Sequence, residues 1–575
     1  MRAVSLLLIF LLAKLAILWG HAVPRSGWSP VAYIWQDAAV ALLFALIDLG
    51  LDVGLARLRP RLKAIGTSIY WLLAIYAAIN VPVGRAVSTV LTWPMLRAAR
   101  GPLADSMLLY VTWANCLLVL LTLAAAAVLP WLLRQTPRTC FAVAAAGSIP
   151  LILAGPSASA RVDTHGMDRN PVAALMSGAL SRPGNSSGAG DRRTSRFPGA
   201  GAEDLTRFVG IAKGKNVIVV SLESTAAQYL ELYGSGYHVM PNLSSLARNA
   251  LVFENAYAVY PESIKGLYSV LCSAFPAFQS EPESYEHAPC RSVAAVLADA
   301  GYRTALIHSG RFAYLGMESI IRNRGFATLE DAGDIGGNHN SSFGVDEPAA
   351  VARILAWLDA LPRGQRFFVT YLPIAGHHPY ATPGPGPFIV RDEIDQYRNA
   401  LHYGDESLGA LMQGLRQRGL DRDTVWMIYG DHGEAFRQHD GNYGHTFFVY
   451  DENVRVPLVI AAPGLISSQV RVRKVVSLVD VAPTLLDLLG TPASAHYQGH
   501  SVLDGTPRMA LFFTDYSLGI VGLRDGCWKF LYEMESQRRK LFDMESDPRE
   551  LSDVSARAPE RTTWYAAVVR GWIGK

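Results

Sequence analysis

Val425-Trp-Met-Ile-Tyr-Gly-Asp-His-Gly-Glu434 is a short apolar run that ends abruptly in carboxylates and an imidazole. A run of that length closed by a glycine predicts a buried strand. Similar runs stand at Asn216 to Leu222, Thr304 to Ile307, Phe367 to Leu372 and Pro457 to Ile460. They alternate with helix-like stretches such as Ala349 to Leu361 and Ser407 to Arg418. That alternation predicts an α/β domain with a mostly parallel central sheet. Ligands collect at the carboxyl ends of such strands, so the polar residues just after each run carry the chemistry.

Glu223 leaves the first run with Ser224 and Thr225 behind it, as a ligand at a strand exit or as a helix cap. Asp431 next to His432 offers the mixed oxygen and nitrogen donors of a metal site. His439 and His445 follow closely. A single histidine is usually structural, but a cluster of them behind a strand points to function.

Outside this half, the 575 residues are 50% hydrophobic and only 18% charged, too apolar and too long for one soluble domain. Apolar stretches near residues 4–20, 31–55, 67–90, 107–133 and 140–158 each approach the length that crosses a bilayer, which predicts a bundle of five transmembrane helices over residues 1–158. The first is read as retained, because no small-residue cleavage site follows it. Its Lys14 is expected to snorkel or to be buried in the bundle, with a proton or lipid role as the alternative. Arg57, Arg59, Arg61 and Lys63 form the densest basic loop, and Arg134 and Arg138 flank a later one; both are expected to be cytoplasmic. The chain is thus expected in the cytoplasmic membrane, multi-pass, with its C-terminal part on the outer side. Trp93 to Asp105, with Arg97 and Arg100, reads as a segment lying on the outer surface or as an ordinary loop.

Residues 159–212, including the run Ser181 to Arg193, are rich in Gly, Ser, Pro, Ala and Arg and predict a flexible linker to a catalytic domain over residues 213–575. A net charge of +3 gives no basic field for nucleic acid. Five cysteines without Cys-x-x-Cys spacing exclude a zinc ribbon or a thioredoxin-like motif. Cys272 and Cys290 are either a local bridge or two separate thiols.

Asp431-His-Gly-Glu434, His439, His445-Thr446 and Tyr450-Asp-Glu-Asn-Val-Arg-Val-Pro-Leu458 resemble the sulfatase-like branch of the alkaline phosphatase superfamily. Ser477-Leu-Val-Asp-Val-Ala-Pro-Thr-Leu-Leu486, Met240-Pro-Asn-Leu243 and Phe253-Glu-Asn-Ala-Tyr257 extend the resemblance. Arg524-Asp-Gly-Cys-Trp-Lys-Phe530 and Leu541-Phe-Asp-Met-Glu-Ser-Asp-Pro548 are similar to the closing antiparallel sheet of sulfatases. The membrane part adds a resemblance to lipoteichoic acid synthases and lipid A phosphoethanolamine transferases.

The resemblance implies a nucleophile at the head of a helix, bound to the metal. In Tyr260-Pro-Glu-Ser-Ile-Lys-Gly-Leu-Tyr-Ser-Val-Leu-Cys272 that residue is Ser263, with Ser269 as the fallback and a plain N-cap as the alternative reading. A helix N-terminus would also offer N–H groups to an anionic ester. Sulfatases mature a Cys or Ser in a Cys/Ser-x-Pro-x-Arg motif, whereas Ile264, Lys265, Gly266 and Leu267 follow Ser263, so an unmodified serine is expected. Sulfatases also place two aspartates after the first strand where this chain has Glu223 and Ser224. One divalent ion is therefore expected on Glu223, Ser263, Asp431 and His432: manganese first, with zinc and calcium as the other candidates. The resemblance further gives His308, His377, His439 and His445 as substrate-binding groups, with His377 and His445 also in proton transfer. Lys265 is expected either to neutralise the ester or to be a surface charge, and Arg311 either to add charge or to form a structural ion pair. His378 reads as a bystander.

The expected activity is transfer of a phosphoglycerol or phosphoethanolamine type of group from a membrane lipid to an envelope glycan or lipid, through a covalent serine intermediate. A membrane-tethered sulfate or phosphate ester hydrolase is the runner-up, and a catalytically inactive binding module the third reading.

Overall fold

The computed structural model describes residues 1–53, 59–98, 110–180, 193–197, 203–338 and 344–574. Its centre is an eight-stranded sheet in the order β10-β2-β9-β6-β1-β5-β3-β4. The strands are β1 Asn216–Leu222, β2 Ala250–Tyr257, β3 Arg303–His308, β4 Thr328–Glu330, β5 Phe367–Leu372, β6 Thr424–Gly430, β9 Arg455–Ala461 and β10 Val470–Ser477. All pairs are parallel except those of β9, which runs antiparallel to both β2 and β6. The two-stranded β7 Ala435–Phe436 and β8 Tyr443–Gly444 lie apart from it.

The sheet is apolar on both faces. Val217 and Val219 of β1 enter one core with Val425 and Met427, while Ile218 and Val220 enter the other with Trp426 and Ile428. Burial on both sides turns these strands into continuous apolar runs rather than alternating ones. A second sheet, antiparallel in the order β11 Ala510–Thr514, β12 Ile520–Asp525, β13 Trp528–Glu533 and β14 Arg539–Asp543, closes the domain. The C-terminal helix packs Tyr565, Val569 and Trp572 into the core of that sheet.

In the N-terminal part lie α1 Arg2–Leu18, α2 Ser29–Val53, α3 Arg59–Val87, α4 Trp113–Leu132 and α5 Arg138–Ser159. Four of them, α2 to α5, are long and apolar enough to cross a membrane. The expected fifth, α1, has 17 residues, carries Arg2 and Lys14, and is not among these four. α1 nevertheless lies inside the bundle. Arg2 pairs with Asp48 of α2 at 2.8 Å at one end, and His21, just beyond the other end, meets Asp440 at 2.8 Å. Lys14 is buried, as read, and all three of its N–H groups are used: by Tyr33 O at 2.7 Å, Asp37 Oδ2 at 2.6 Å and Asp168 O at 2.7 Å. Of the expected surface segment, Trp93–Ala98 is a short helix; Arg100 and Asp105 lie outside the described residues, as do Arg57 and most of the run from Ser181 to Arg193.

The expectation of a flexible linker over residues 159–212 is corrected where that segment is described, at residues 160–180 and at Arg193. After α5 the chain is held by ions: Asp163 by Lys540 and by Arg538 at 3.5 Å, and Arg169 by Glu535 at 2.9 Å. It then forms the helix α6, Pro171–Leu180, against α3. Arg193, fully buried, makes a bidentate pair with Asp480 at 2.6 Å and donates to Met509 O at 2.8 Å. A Gly- and Ser-rich composition signalled a tether, but the charges within it have partners hundreds of residues away.

Candidate active site

The register of β1 against β6 builds the site. Leu222 is paired with Gly430, so the residues that follow, Glu223 and Asp431, emerge side by side. The chain turns sharply after Glu223: Ser224 has φ 51°, and its N–H donates to Asp431 Oδ1 at 2.9 Å. His432 N donates to the same oxygen at 2.7 Å. With Oδ1 thus fixed, Asp431 Oδ2 faces Ser263.

Ser263 opens the helix α7, Ser263–Cys272, but it is not the cap. Glu262 is, accepting from Ile264 N at 3.1 Å and Lys265 N at 3.2 Å. Those N–H groups, expected to serve an anionic ester, are already engaged. The Ser263 hydroxyl is left to point away from the helix, with Oγ 2.7 Å from Asp431 Oδ2, 2.9 Å from Glu223 Oε2 and 3.3 Å from His432 Nε2. Ser269, the fallback, bonds back to Lys265 O at 3.3 Å inside the helix. The helix ends at Cys272, which is disulfide-bonded to Cys290.

The donor atoms of Glu223, Asp431 and His432 lie within 4.8 Å of one another, in a group that could hold a metal ion. The chemistry fits. A carbonyl can only accept, so the 2.9 Å contact of His432 Nδ1 with Gly433 O places the proton on Nδ1 and turns the Nε2 lone pair towards the two carboxylates. Burial and the Glu223 charge both push the Asp431 carboxyl up. For His432 burial works the other way, but Asp431 and Glu223 outweigh it and raise its imidazole. Two buried carboxylates sharing one hydroxyl are an electrostatic cost that a divalent cation would offset.

Further histidines gather around this group. His445 stacks near His432 with ring centroids 4.1 Å apart, and its Nδ1 meets Glu434 Oε2 at 2.8 Å. Glu434 in turn accepts from the Tyr380 hydroxyl at 2.8 Å. Burial and the neighbouring His432 pull the His445 imidazole down. His377 and His445 both lie close enough to lower the Glu223 pKa. The loop carrying His377 is pressed onto β1: a Cβ on Gly376, whose φ is 111°, would lie 2.5 Å from Glu223 O. His308 is buried at the end of β3, bonded through Nδ1 to Leu372 O at 2.9 Å and lowered chiefly by burial.

Three expected substrate contacts are placed elsewhere. Lys265 is neither a free cation for the ester nor a surface charge, because Asp515 holds it at 3.1 Å under the Tyr260 ring. His439 has both ring nitrogens engaged, by Glu452 at 2.6 Å and Glu550 O at 3.2 Å, and stacks on Tyr450; it braces the fold. The Arg311 guanidinium lies against Gly333, next to Asp331. His378 stands 3.8 Å from Glu393, a bystander as read. Glu262, Glu434, Tyr380 and Asp515 were not singled out from the sequence. Only Glu434 carried a signal, as the fourth residue of Asp431-His-Gly-Glu434.

A serine at a helix head, aimed at a carboxylate, carboxylate and imidazole group on a mostly parallel sheet, is the site of the alkaline phosphatase superfamily, and the chain carries a sulfatase-family domain. Residues 215–491 match the Sulfatase family model, and residues 441–565 match N-sulphoglucosamine sulphohydrolase, C-terminal. Lipoteichoic acid synthase 2 of Bacillus subtilis is 25% identical over 326 residues, 53% of this chain and 50% of that protein. Arylsulfatase K of Bos taurus is 34% identical over 142 residues, 24% of this chain and 25% of that protein. The chain thus spans half or less of the length of these relatives. The crystal structure of the lipoteichoic acid synthase LtaP from Listeria monocytogenes has the same fold, with a TM-score of 0.55 and 19% identity, over 65% of this chain and 94% of that one. The chain thus carries a domain similar to those of lipoteichoic acid synthases and arylsulfatases, with membrane-type helices ahead of it.

Proposed function

We propose that the chain moves a phospho-substituted group, of the phosphoglycerol or phosphoethanolamine type, from a membrane lipid to an envelope glycan or lipid. The observation that carries this is the Ser263 hydroxyl, 2.7 Å from Asp431 and 2.9 Å from Glu223, in a sequence that lacks the Pro and Arg for conversion to formylglycine. One divalent cation on Glu223, Ser263, Asp431 and His432, manganese before zinc or calcium, would supply positive charge that favours the serine alkoxide and offsets the ester oxygens.

Ser263 Oγ loses its proton towards the Asp431 carboxylate and bonds to phosphorus, and the phosphorus–oxygen bond to the lipid breaks. The departing lipid alkoxide takes a proton from His377 or His445 as an imidazolium. An acceptor hydroxyl then bonds to phosphorus, returns a proton to that imidazole, and the Ser263–phosphorus bond breaks as Ser263 recovers its own proton. Glu434 orients His445 through Nδ1, and His308 binds a non-bridging oxygen. The membrane part, residues 1–158 with α1 as a fifth pass, would hold the catalytic domain outside the cytoplasmic membrane. Trp19, Trp28, Trp93 and Trp113, all exposed, stand at the helix ends that face the catalytic domain, as in an interfacial aromatic belt, and support a membrane surface at that end of the bundle.

A hydrolase of sulfate or phosphate esters is the second reading, favoured by the match of residues 441–565 to a sulphohydrolase C-terminal model. Mass spectrometry of residue 263, after incubation with manganese and labelled envelope lipids, separates the two. Label on Ser263 that passes to an acceptor is expected; formylglycine at that position, with sulfate released from an aryl sulfate, would overturn the transferase reading.

A further inference from the structure

A cavity of about 610 Å³ lies outside the catalytic group, where the ends of α2 and α5 meet the closing sheet. That volume is in the range of small-molecule sites. Trp35 and Gln36 of α2, Pro156 to Arg161 at the end of α5, Arg169, and the β13–β14 turn at Glu533 to Gln537 enclose it.

The wall is built rather than incidental. The Trp35 ring lies flat on Gly155, where a Cβ would be 2.3 Å from the indole, and Trp35 Nε1 donates to Ser159 Oγ at 3.0 Å. Arg169 is buried, and its Nε has no partner among the described residues although its other nitrogens meet Ser517 and Glu535. Arg161 is exposed, lies 4.9 Å over the Trp28 ring and donates one N–H to Ser157 O at 2.7 Å. Its remaining N–H groups can reach an anion. The carboxylates of Glu533 and Glu535 also line it, Glu535 against Arg169 and Glu533 against Arg538, so the lining carries both signs.

Below the cavity the wall becomes lipid-facing. Ile149, Leu153, Pro156 and Ala160 follow one another at helical spacing along one face of α5, with Ile149 and Leu153 exposed and Pro156 and Ala160 in the cavity wall. Ala39, Leu42 and Leu46 continue from Trp35 along α2 in the same way, with Leu46 exposed. A polar chamber holding both charges thus opens onto apolar helix faces at the level of the exposed Trp19 and Trp28.

We infer that this cavity is a binding site for one zwitterionic phospholipid. Its phosphate meets the exposed Arg161, its ammonium faces Glu533 and Glu535, and its acyl chains lie along α5 and α2. The inference does not rest on the transferase reading, because it concerns occupancy and not turnover. It does bear on the catalytic site: the segment from Asp515 to Leu518 joins the two, with Asp515 holding Lys265, Ser517 accepting from Arg169 at 3.2 Å and Leu518 in the cavity wall.

Native mass spectrometry of the full chain, purified in detergent and offered phosphatidylethanolamine, tests it. One lipid per chain is expected, and Ser157→Trp, which fills the chamber, and Arg161→Ala, which removes the exposed cation, should each lower its affinity about tenfold. Diacylglycerol, which lacks the phosphate, should bind at least about tenfold more weakly, and soluble glycerophosphoethanolamine should not compete. Unchanged occupancy in both variants, with melting temperatures like the parent chain, would overturn the site. Equal binding of diacylglycerol would reduce it to an apolar groove, and full competition by the free headgroup would make it a soluble-ligand site; either result refutes the inference.

Discussion

Glu262 decides what Ser263 is able to do. A serine that starts a helix ordinarily spends its hydroxyl on the helix, whereas here the preceding carboxylate takes the N–H groups of Ile264 and Lys265 and leaves Oγ to Glu223 and Asp431. Ser263→Ala is accordingly expected to lower turnover by about a thousandfold or more with little change in melting temperature, because it removes the bond-forming atom and no packing. Full activity of that variant in a lipid-transfer assay would refute the assignment. Glu434 acts one step further out, through His445 Nδ1. Glu434→Ala should cost about ten- to a hundredfold in kcat. It should also shift the His445 limb of the pH–rate profile to lower pH, since the anion that favours the imidazolium is gone. A loss of kcat with an unmoved profile would mean that Glu434 only packs. Asp431-His-Gly-Glu434 was legible because its members are contiguous at a strand end. Lys265 and His439 were misread because Asp515, Glu452 and Glu550, which occupy them, come from other parts of the chain.

At the scale of elements, the parallel block of the sheet was readable from its apolar runs; β1 and β5 begin and end where the runs do. The direction of β9 was not, since a doubly buried strand has the same composition whichever way it runs. Helix α8, Glu393–Gln417, was legible only in its second half. Its first half buries Asp395, Asn399 and Asp405 among the apolar Tyr397, Ala400 and Leu401. Asp405 explains the cost and the use of that choice. It accepts from Asn242 N at 2.8 Å and Leu243 N at 2.9 Å, tying α8 to the start of the helix at Pro241–Leu246. Burial pushes its carboxyl up from the usual 3.8 to about 6. Between those values the folded chain keeps a proton that the unfolded chain has lost, so this group's contribution is whole below the unfolded pKa and is lost as pH rises through about 6. Its share is at most about 3 kcal/mol. Asp405→Asn keeps an acceptor and removes the titration, so unfolding free energies across that window should be flatter for the variant. An identical slope in both chains would show that Asp405 is not the titrating group.

The whole molecule differs most from what composition conveys, because charges that look like those of a solvated tether fasten one half to the other. Asp168 O accepts from Lys14 in the bundle, Asp163 pairs with Arg538 and Lys540 of the closing sheet, and Arg169 pairs with Glu535. Thr89 and Ser517, 2.6 Å apart, and His21 with Asp440 add contacts directly between helix ends and catalytic domain. The segment after α5 is therefore a strap that sets the catalytic domain's orientation to the bundle, and the proposed lipid ester would reach Ser263 in that fixed pose. Asp163→Lys places a third cation beside Arg538 and Lys540, and replacing an attraction by a repulsion in a partly buried cluster costs about 3 to 5 kcal/mol. The expected outcome is undocking without unfolding: faster amide exchange over residues 160–177 and at β14. Cleavage of a small soluble ester should be little changed, while transfer from lipid in vesicles falls at least about tenfold, since only the membrane-bound substrate depends on the pose. Asp163→Asn, which removes the attraction without adding charge, should fall between the two. If the lysine variant lost both activities equally, the strap would be holding the catalytic domain's own fold together, and orientation would not be its function.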